Sequence, residues 1–143
     1  MTESNYGNYT KYVVTETQPA KLPPFPKDLG TPLAYLDGEV IKGAWNIITA
    51  WAWPCREPWV AIPEPHFHDH PEVLGFFGSN PQDPFDLCGT VEFWMEDTKL
   101  TLTKSCIVFV PAKMKHSPLK VLNAERPIFH FSSVTESEWI RKQ

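Results

Sequence analysis

Fifteen prolines are distributed along this chain of 143 residues, and they constrain its fold more than any other feature. Proline lacks a backbone N–H and its ring clashes with the preceding helical turn, so it interrupts helices and is tolerated at turns and strand ends. The chain also carries six tryptophans, four tyrosines and nine phenylalanines, and it has no long run rich in Ala, Leu, Glu and Lys. This composition argues against a helical bundle and predicts an all-β fold of short strands and turns.

The length is that of one domain. Residues 22–26 read Leu-Pro-Pro-Phe-Pro, which favours an extended path. We therefore expect residues 1–30 to form an N-terminal arm, with a strand at residues 11–15, and residues 31–143 to form a β-barrel domain. Thr135 and Glu138 have the spacing of a capping box, which predicts a short C-terminal helix over residues 136–142.

Charge and hydropathy exclude several classes of partner. The formal net charge is −4 and the lysines and arginines are scattered, so we expect no nucleic-acid binding. No apolar run approaches the length of a bilayer span and residues 1–10 do not resemble a secretory signal, so we expect no membrane association and a cytoplasmic location. Cys55, Cys88 and Cys106 are irregularly spaced, which predicts three reduced thiols.

Alternation of large and small side chains predicts the strands. Over residues 44–53 the bulky Trp45, Ile47 and Trp51 alternate with smaller residues, and Pro54 ends the pattern. Further strands are predicted at residues 72–77, 90–95, 99–103, 105–110, 119–122 and 128–134, with a long loop over residues 78–89. The aromatic residues that we expect mostly in the core are Trp45, Trp51, Trp53, Phe76, Phe93 and Trp94.

Four residues have the pattern of a metal site. In an extended strand successive side chains alternate between faces, so His66 and His68 leave the backbone on the same side and can share one ion. Glu72 follows after a bend that Pro71 favours and adds a carboxylate oxygen. His116 lies beyond an apolar strand and supplies a fourth ligand. We predict one divalent metal ion held by this set, with the remaining positions of an octahedral ion open to water, dioxygen or a chelating substrate.

The stretch from His66 to Gly78, His-x-His-x-x-x-Glu with a glycine beyond, resembles the first motif of the cupin superfamily. The stretch from Ser105 to His116 resembles the second. The resemblance implies a double-stranded β-helix, also called a jelly-roll barrel, with a divalent metal near its mouth on the four matching residues. The departures from the motifs lie at positions where glycine is usual, with Val60, Ser105 and Lys113 in place of glycine and Gly78 one residue early.

Two further histidines are candidates for catalysis. His70 continues the alternation of His66 and His68 and would replace Glu72 as a ligand in an unbroken strand, but Pro71 argues against that. It is otherwise a histidine at the rim. His130 lies in an apolar strand, where it is either a hydrogen-bonded core or pocket residue or an acid or base that exchanges protons near neutral pH.

From these residues we expect a mononuclear metalloenzyme acting on a small apolar or aromatic oxygen-bearing substrate, foremost an iron-dependent dioxygenase. Fe²⁺ is favoured as the cofactor, with Mn²⁺, Ni²⁺, Zn²⁺ and Cu²⁺ as alternatives. A redox-silent isomerase, decarboxylase or lyase is the second hypothesis, and a non-catalytic metal- or ligand-binding cupin is the third. The resemblance also implies a homodimer.

Overall fold

The computed structural model of the chain describes residues 7–15, 25–136 and 141–143, whose regular structure consists of antiparallel strands and one short 3₁₀ helix. The strands are β1 (Gly30–Leu36), β2 (Asn46–Ala52), β3 (Trp59–Ile62), β4 (Glu72–Gly78), β5 (Asp86–Met95), β6 (Thr98–Lys104), β7 (Cys106–Val110), β8 (His116–Ala124) and β9 (Ile128–Val134). They form a five-stranded sheet in the order β1-β2-β9-β4-β7 and a four-stranded sheet in the order β3-β8-β5-β6. The predicted all-β jelly roll is confirmed.

The core lies between the two sheets and follows the period-two alternation of the strands. On β2, the inward positions Ile48, Ala50 and Ala52 are buried, while Trp51 is on the outer face. The residues buried in the largest cluster are Ala52, Trp59, Leu74, Phe76, Leu87, Val91, Phe93, Val110, Leu119, Val121, Ala124 and Ile128. Small side chains on the inner face of β2 leave room for a cavity inside the barrel.

The predicted core role of the aromatic residues is right for Phe76 and Phe93 and wrong for the tryptophans near β2. Trp45 is 58% exposed. Trp51 stacks on Trp53, with ring centroids 6.0 Å apart, and meets Phe129 edge-on at 5.5 Å. Alternation correctly separated the two faces of the strand but could not tell which one faces inward. The large side chains of this segment lie on the outer surface of the five-stranded sheet.

The connection between β4 and β5 is shorter than predicted, because β5 already begins at Asp86. Cys88 has a positive φ of 50°, and the register of β5 against β6 shifts between Asp86 and Val91. Such a bulge hides the start of a strand from a pattern-based prediction. Gly78 is required here, since a Cβ on it would overlap the carbonyl group of Asp86.

The chain ends differ in part from prediction. A 3₁₀ helix covers Gly7–Tyr12, so the strand predicted at residues 11–15 is wrong. Residues 137–140 of the predicted terminal helix lie outside the described residues, and Lys142 beyond them pairs with Phe67 in a β-bridge instead. The boundary between arm and barrel stays a prediction. Within the described ranges, no helix has the length and hydropathy needed to cross a bilayer.

Candidate metal centre

The His-x-His segment enters the site through main-chain contacts with distant parts of the chain. The His66 N–H donates to the His116 carbonyl at 3.0 Å, and the His116 N–H donates to the His66 carbonyl at 2.9 Å. Phe67, between the two histidines, pairs in the same way with Lys142. His66 and His68 are 3% and 2% exposed, so both rings point into the protein on one side, as predicted.

Glu72 and His116 complete the cluster from the first residues of β4 and β8. Both side chains are buried, and one ligand atom from each of His66, His68, Glu72 and His116 lies within 4.8 Å of all the others. These four are the residues that the sequence pattern selected. Two chain segments far apart in sequence therefore converge on a single point.

Backbone carbonyls orient two of the imidazole rings. The Nδ1–H of His66 donates to the carbonyl oxygen of Glu64 at 3.0 Å, and the Nδ1–H of His116 donates to that of Met114 at 2.9 Å. Each neutral ring then keeps the lone pair of Nε2 for the centre of the cluster. Burial lowers the pKa of His66 to about 4, against a usual value of 6.5, so this ring is neutral at pH 7.

The Glu72 carboxylate faces two groups of partners. Its Oε1 accepts the hydroxyl proton of Ser132 at 2.6 Å, and its Oε2 lies 2.8 Å from His116 Nε2 and 3.0 Å from His68 Nε2. Burial raises the pKa of Glu72, but the two imidazoles and the Ser132 hydroxyl outweigh it and hold this pKa well below its usual range. Glu72 is therefore an anion inside the protein.

This arrangement fits a metal ion. Glu72 Oε2 and His116 Nε2 are both buried and have no hydrogen-bond partner among the described residues. A proton or a metal cation is needed between these two atoms, because with Nδ1–H committed to Met114 the neutral form of the His116 ring presents only a lone pair, 2.8 Å from a second acceptor. A cation between them satisfies both lone pairs, and three imidazoles with one carboxylate suit first-row transition metals. His66, His68, Glu72 and His116 would hold that ion.

A largely apolar cavity lies beside the cluster, inside the barrel. It encloses about 890 Å³ of empty space, part of which is open to solvent. Its polar lining residues are His66, Glu72, His116, Ser117, His130 and Ser132, and most of the others are apolar, among them Phe25, Ile48, Trp59, Leu74, Phe76 and Ile128. No lysine or arginine is among the described residues that line it.

The two candidate catalytic histidines occupy different places. His70 is on the surface, with its side chain 49% exposed and Nε2 3.4 Å from a carboxylate oxygen of Glu136. His130 lies in the cavity wall, and its Nδ1–H donates to the Gly75 carbonyl at 2.8 Å. The structure thus brings His130, and not His70, to the cavity. Their catalytic roles stay predictions.

The sequence analysis missed Ser132, which holds the buried oxygen of Glu72. One signal for it exists, because Ser132 is two residues from His130 and shares its face of β9. It also missed Arg141, whose charge acts on both Glu72 and His66. Nothing local to residues 141–143 indicates that this segment runs back to the His-x-His segment.

Comparisons with solved structures agree with the fold. An oxalate oxidase in complex with the substrate analogue glycolate superposes with a TM-score of 0.50 at 10% identity, covering 79% of this chain and 54% of that one. A protein with a double-stranded β-helix domain from Klebsiella pneumoniae gives a TM-score of 0.48 at 13% identity, with coverages of 85% and 90%. KdgF from a Halomonas species gives 0.44 at 14%, with coverages of 75% and 77%.

No family model matches the chain, and neither does any curated protein. The two sheets and the buried ligand cluster define a cupin-type double-stranded β-helix with a candidate metal site. Of the solved structures above, the oxalate oxidase shares this fold, at an identity too low to extend the likeness to substrate or reaction.

Proposed function

We propose that this protein is a mononuclear metalloenzyme, an iron-dependent dioxygenase acting on a small apolar or aromatic substrate that carries an oxygen function. The observation that carries the proposal is the buried cluster of three imidazoles and one carboxylate at the edge of an apolar cavity. Bound Fe²⁺ would supply Lewis acidity together with redox chemistry toward dioxygen. The four ligands leave positions of an octahedral ion open for this purpose.

The lining of the cavity supports the substrate class. Apolar and aromatic side chains surround most of it, and no cationic side chain among the described residues is positioned there to pair with an anion. Apart from the metal ion itself, a small dianion would meet no cationic group in the described lining, and burying its remaining charge among apolar walls is costly. An enolisable ketone or a phenol brings one polar oxygen on an apolar body, which matches the cavity.

The chain's own residues have distinct roles in this proposal. Glu72 and the three histidines fix the position of the ion, and Ser132 holds the Glu72 carboxylate. The apolar wall excludes water from the bound substrate. Among the described residues of the wall, His130 is the one titratable side chain outside the ligand cluster, and we propose that it contacts the substrate. His70 would act only at the rim, beside Glu136.

Oxygen uptake tests the proposal. The purified protein, loaded anaerobically with Fe²⁺, is mixed with a panel of β-diketones, phenols and catechols in an oxygen electrode, and substrate loss is followed in parallel. We expect dioxygen consumption in a fixed ratio to substrate loss for at least one compound. Glu72→Gln removes the anionic ligand and should lower both iron affinity and uptake by at least about 100-fold. Glu125→Gln makes the same chemical change on the surface and serves as the control.

Substrate turnover without oxygen uptake would contradict the dioxygenase and favour a redox-silent isomerase, decarboxylase or lyase. Failure of the protein to retain any divalent metal, with Glu72→Gln no different from wild type, would contradict the metal centre itself. Elemental analysis of protein purified from its own host identifies the ion.

We further propose a homodimer in the cytoplasm. The outer face of the five-stranded sheet carries apolar and aromatic side chains, including Ile107 and Phe109 at 61% and 58% exposure. Large exposed apolar patches mark protein interfaces. Cys55, Cys88 and Cys106 are free thiols, which supports a reducing compartment.

A further inference from the structure

His130 is held rigidly in the barrel interior. It occupies an inward position of β9, between Ile128 and Ser132, and is paired with Phe76 of β4 on one side and Ala50 of β2 on the other. Its ring stacks on Phe76, with centroids 4.6 Å apart and planes 25° apart. The hydrogen bond from Nδ1–H to the Gly75 carbonyl fixes the remaining rotation of the ring.

This geometry leaves one acceptor atom for the cavity. Since a carbonyl oxygen only accepts, the proton of the neutral ring is on Nδ1 and Nε2 carries a lone pair. Nothing in residues 7–15, 25–136 or 141–143 donates a hydrogen bond to Nε2, and the residue lines the cavity. Burial lowers the pKa of His130 to about 4, so the ring stays neutral. A buried acceptor of this kind requires a donor from a ligand or a water molecule.

The strand register gives the distance between His130 and the metal ligands. On adjacent strands, Phe76 pairs with His130, and Glu72 pairs with Val134. The Glu72 side chain leans back from that level, because its carboxylate accepts the hydroxyl proton of Ser132, which is only two residues from His130, or about 7 Å at about 3.3 Å per residue. The same cavity touches both levels. It has a metal site at one end, one neutral acceptor at the other, and largely apolar walls between them.

We propose that His130 determines substrate specificity by accepting a hydrogen bond from the far end of a substrate about one aromatic ring long. The substrate carries an oxygen for the metal site at one end, an uncharged O–H or N–H donor at the other, and an apolar, preferably aromatic, body between. This inference rests on the proposed function for the metal end. A carboxylate at the far end is disfavoured, because a neutral ring with a lone pair facing the cavity repels it.

Binding to protein loaded with zinc tests this inference without any turnover. The probes are hydroquinone and 4-methylphenol, which share one aromatic ring and differ in having a hydroxyl or a methyl group at the far end. Affinity is measured by isothermal titration calorimetry, with tryptophan fluorescence as a second readout. Wild-type protein should bind the diol about 10-fold more tightly, the scale of one hydrogen bond to a buried acceptor. His130→Phe keeps a ring on Phe76 and should bind the two probes equally.

His130→Gln keeps an acceptor and should restore part of the discrimination, which preserves the test if the phenylalanine variant does not fold. Equal affinity of the two probes for wild type, or unchanged discrimination in both variants, overturns the role of His130. Repeating the titrations without zinc separates this role from the metal centre. One outcome is that discrimination between the probes depends on His130 while the affinity for each probe is unchanged when zinc is omitted. In that case the His130 inference stands and the metal-dependent function fails.

Discussion

Glu72 uses its two carboxylate oxygens for different purposes. One oxygen lies between His68 and His116, where the metal would bind, and the other accepts a short hydrogen bond from Ser132. A carboxylate held at only one point can rotate about its terminal bond, so the serine contact sets the angle at which Glu72 meets the ion. Ser132 is thus a positioning residue for the metal ligand.

Removing the serine hydroxyl should weaken metal binding. Ser132→Ala leaves Glu72 Oε1 without its donor, and we expect the affinity for Zn²⁺ or Fe²⁺, measured by competition with a chromophoric chelator, to fall about 10-fold. Ser133→Ala is the matched control, because that hydroxyl donates to the Asn46 carbonyl and faces away from the cluster. Equal affinities for the two variants would contradict the positioning role.

At this scale the sequence selected the four residues that cluster, but not the groups that support them. The face shared by His66 and His68 follows from strand alternation alone. The carbonyls of Glu64 and Met114, which select the ring tautomers, are backbone atoms and leave no trace in residue types. To predict the role of Ser132, one must know that β9 pairs with β4, and this pairing is a property of the fold.

The turn between β7 and β8 links the two cupin-like motifs. Lys113 adopts a positive φ of 66°, in the left-handed region where the resemblance implies a glycine. Its N–H donates to the His68 carbonyl at 2.7 Å, so the strained residue also ties the second motif to the first. A residue with a Cβ adopts this conformation only at some strain, which fits the usual glycine at this position.

Relieving this strain should stabilise the protein. Glycine adopts the left-handed conformation without the Cβ penalty, so Lys113→Gly should raise the free energy of unfolding by about 0.5 to 1 kcal/mol, measured by urea denaturation. Lys115→Gly, two residues on, has no positive φ to relieve and should lower stability through the added freedom of its unfolded chain. Destabilisation of equal size in both variants would rule out the strain.

Among the elements, the alternation of side chains predicted the strands that pair in regular register. It failed where the backbone departs from that register. β2, β4 and β9 were predicted almost to the residue. The start of β5 was missed because Cys88 interrupts its pleat. The β-bridge of Phe67 with Lys142 was also missed, since it joins residues far apart in sequence and depends only on backbone groups.

The two outer faces of the barrel differ in character. On the four-stranded sheet, Glu92 forms ion pairs with Lys99 and Lys120 across neighbouring strands, as a water-facing surface does. On β2, β9, β4 and β7 of the other sheet, the outward positions carry no charge. Phe77 stacks there on Phe131 at 6.1 Å. A sheet of five strands presents roughly 500 Å² before side-chain relief is counted, against about 800 Å² that each partner of a standard interface buries.

Charge on this face should dissociate the expected homodimer. We expect wild type to sediment as a dimer at micromolar concentration and the double variant Ile107→Lys, Phe109→Lys to sediment as a monomer, because two buried ammonium groups per subunit would lack partners. Val60→Lys is the control, since Val60 is 48% exposed on the other sheet. A monomeric wild type, or equal dissociation by Val60→Lys, would contradict this interface.

The paired main-chain hydrogen bonds between His66 and His116 have a consequence for how the centre is supplied with its ion. They join the two halves of the ligand set through backbone groups alone, so the fold itself sets how far apart the donor atoms lie. Ions of similar size should then replace one another by simple exchange, with no refolding step. The relative abundance of the metal ions in a cell then determines which ion the protein carries. A change in metal supply would change the chemistry at the site.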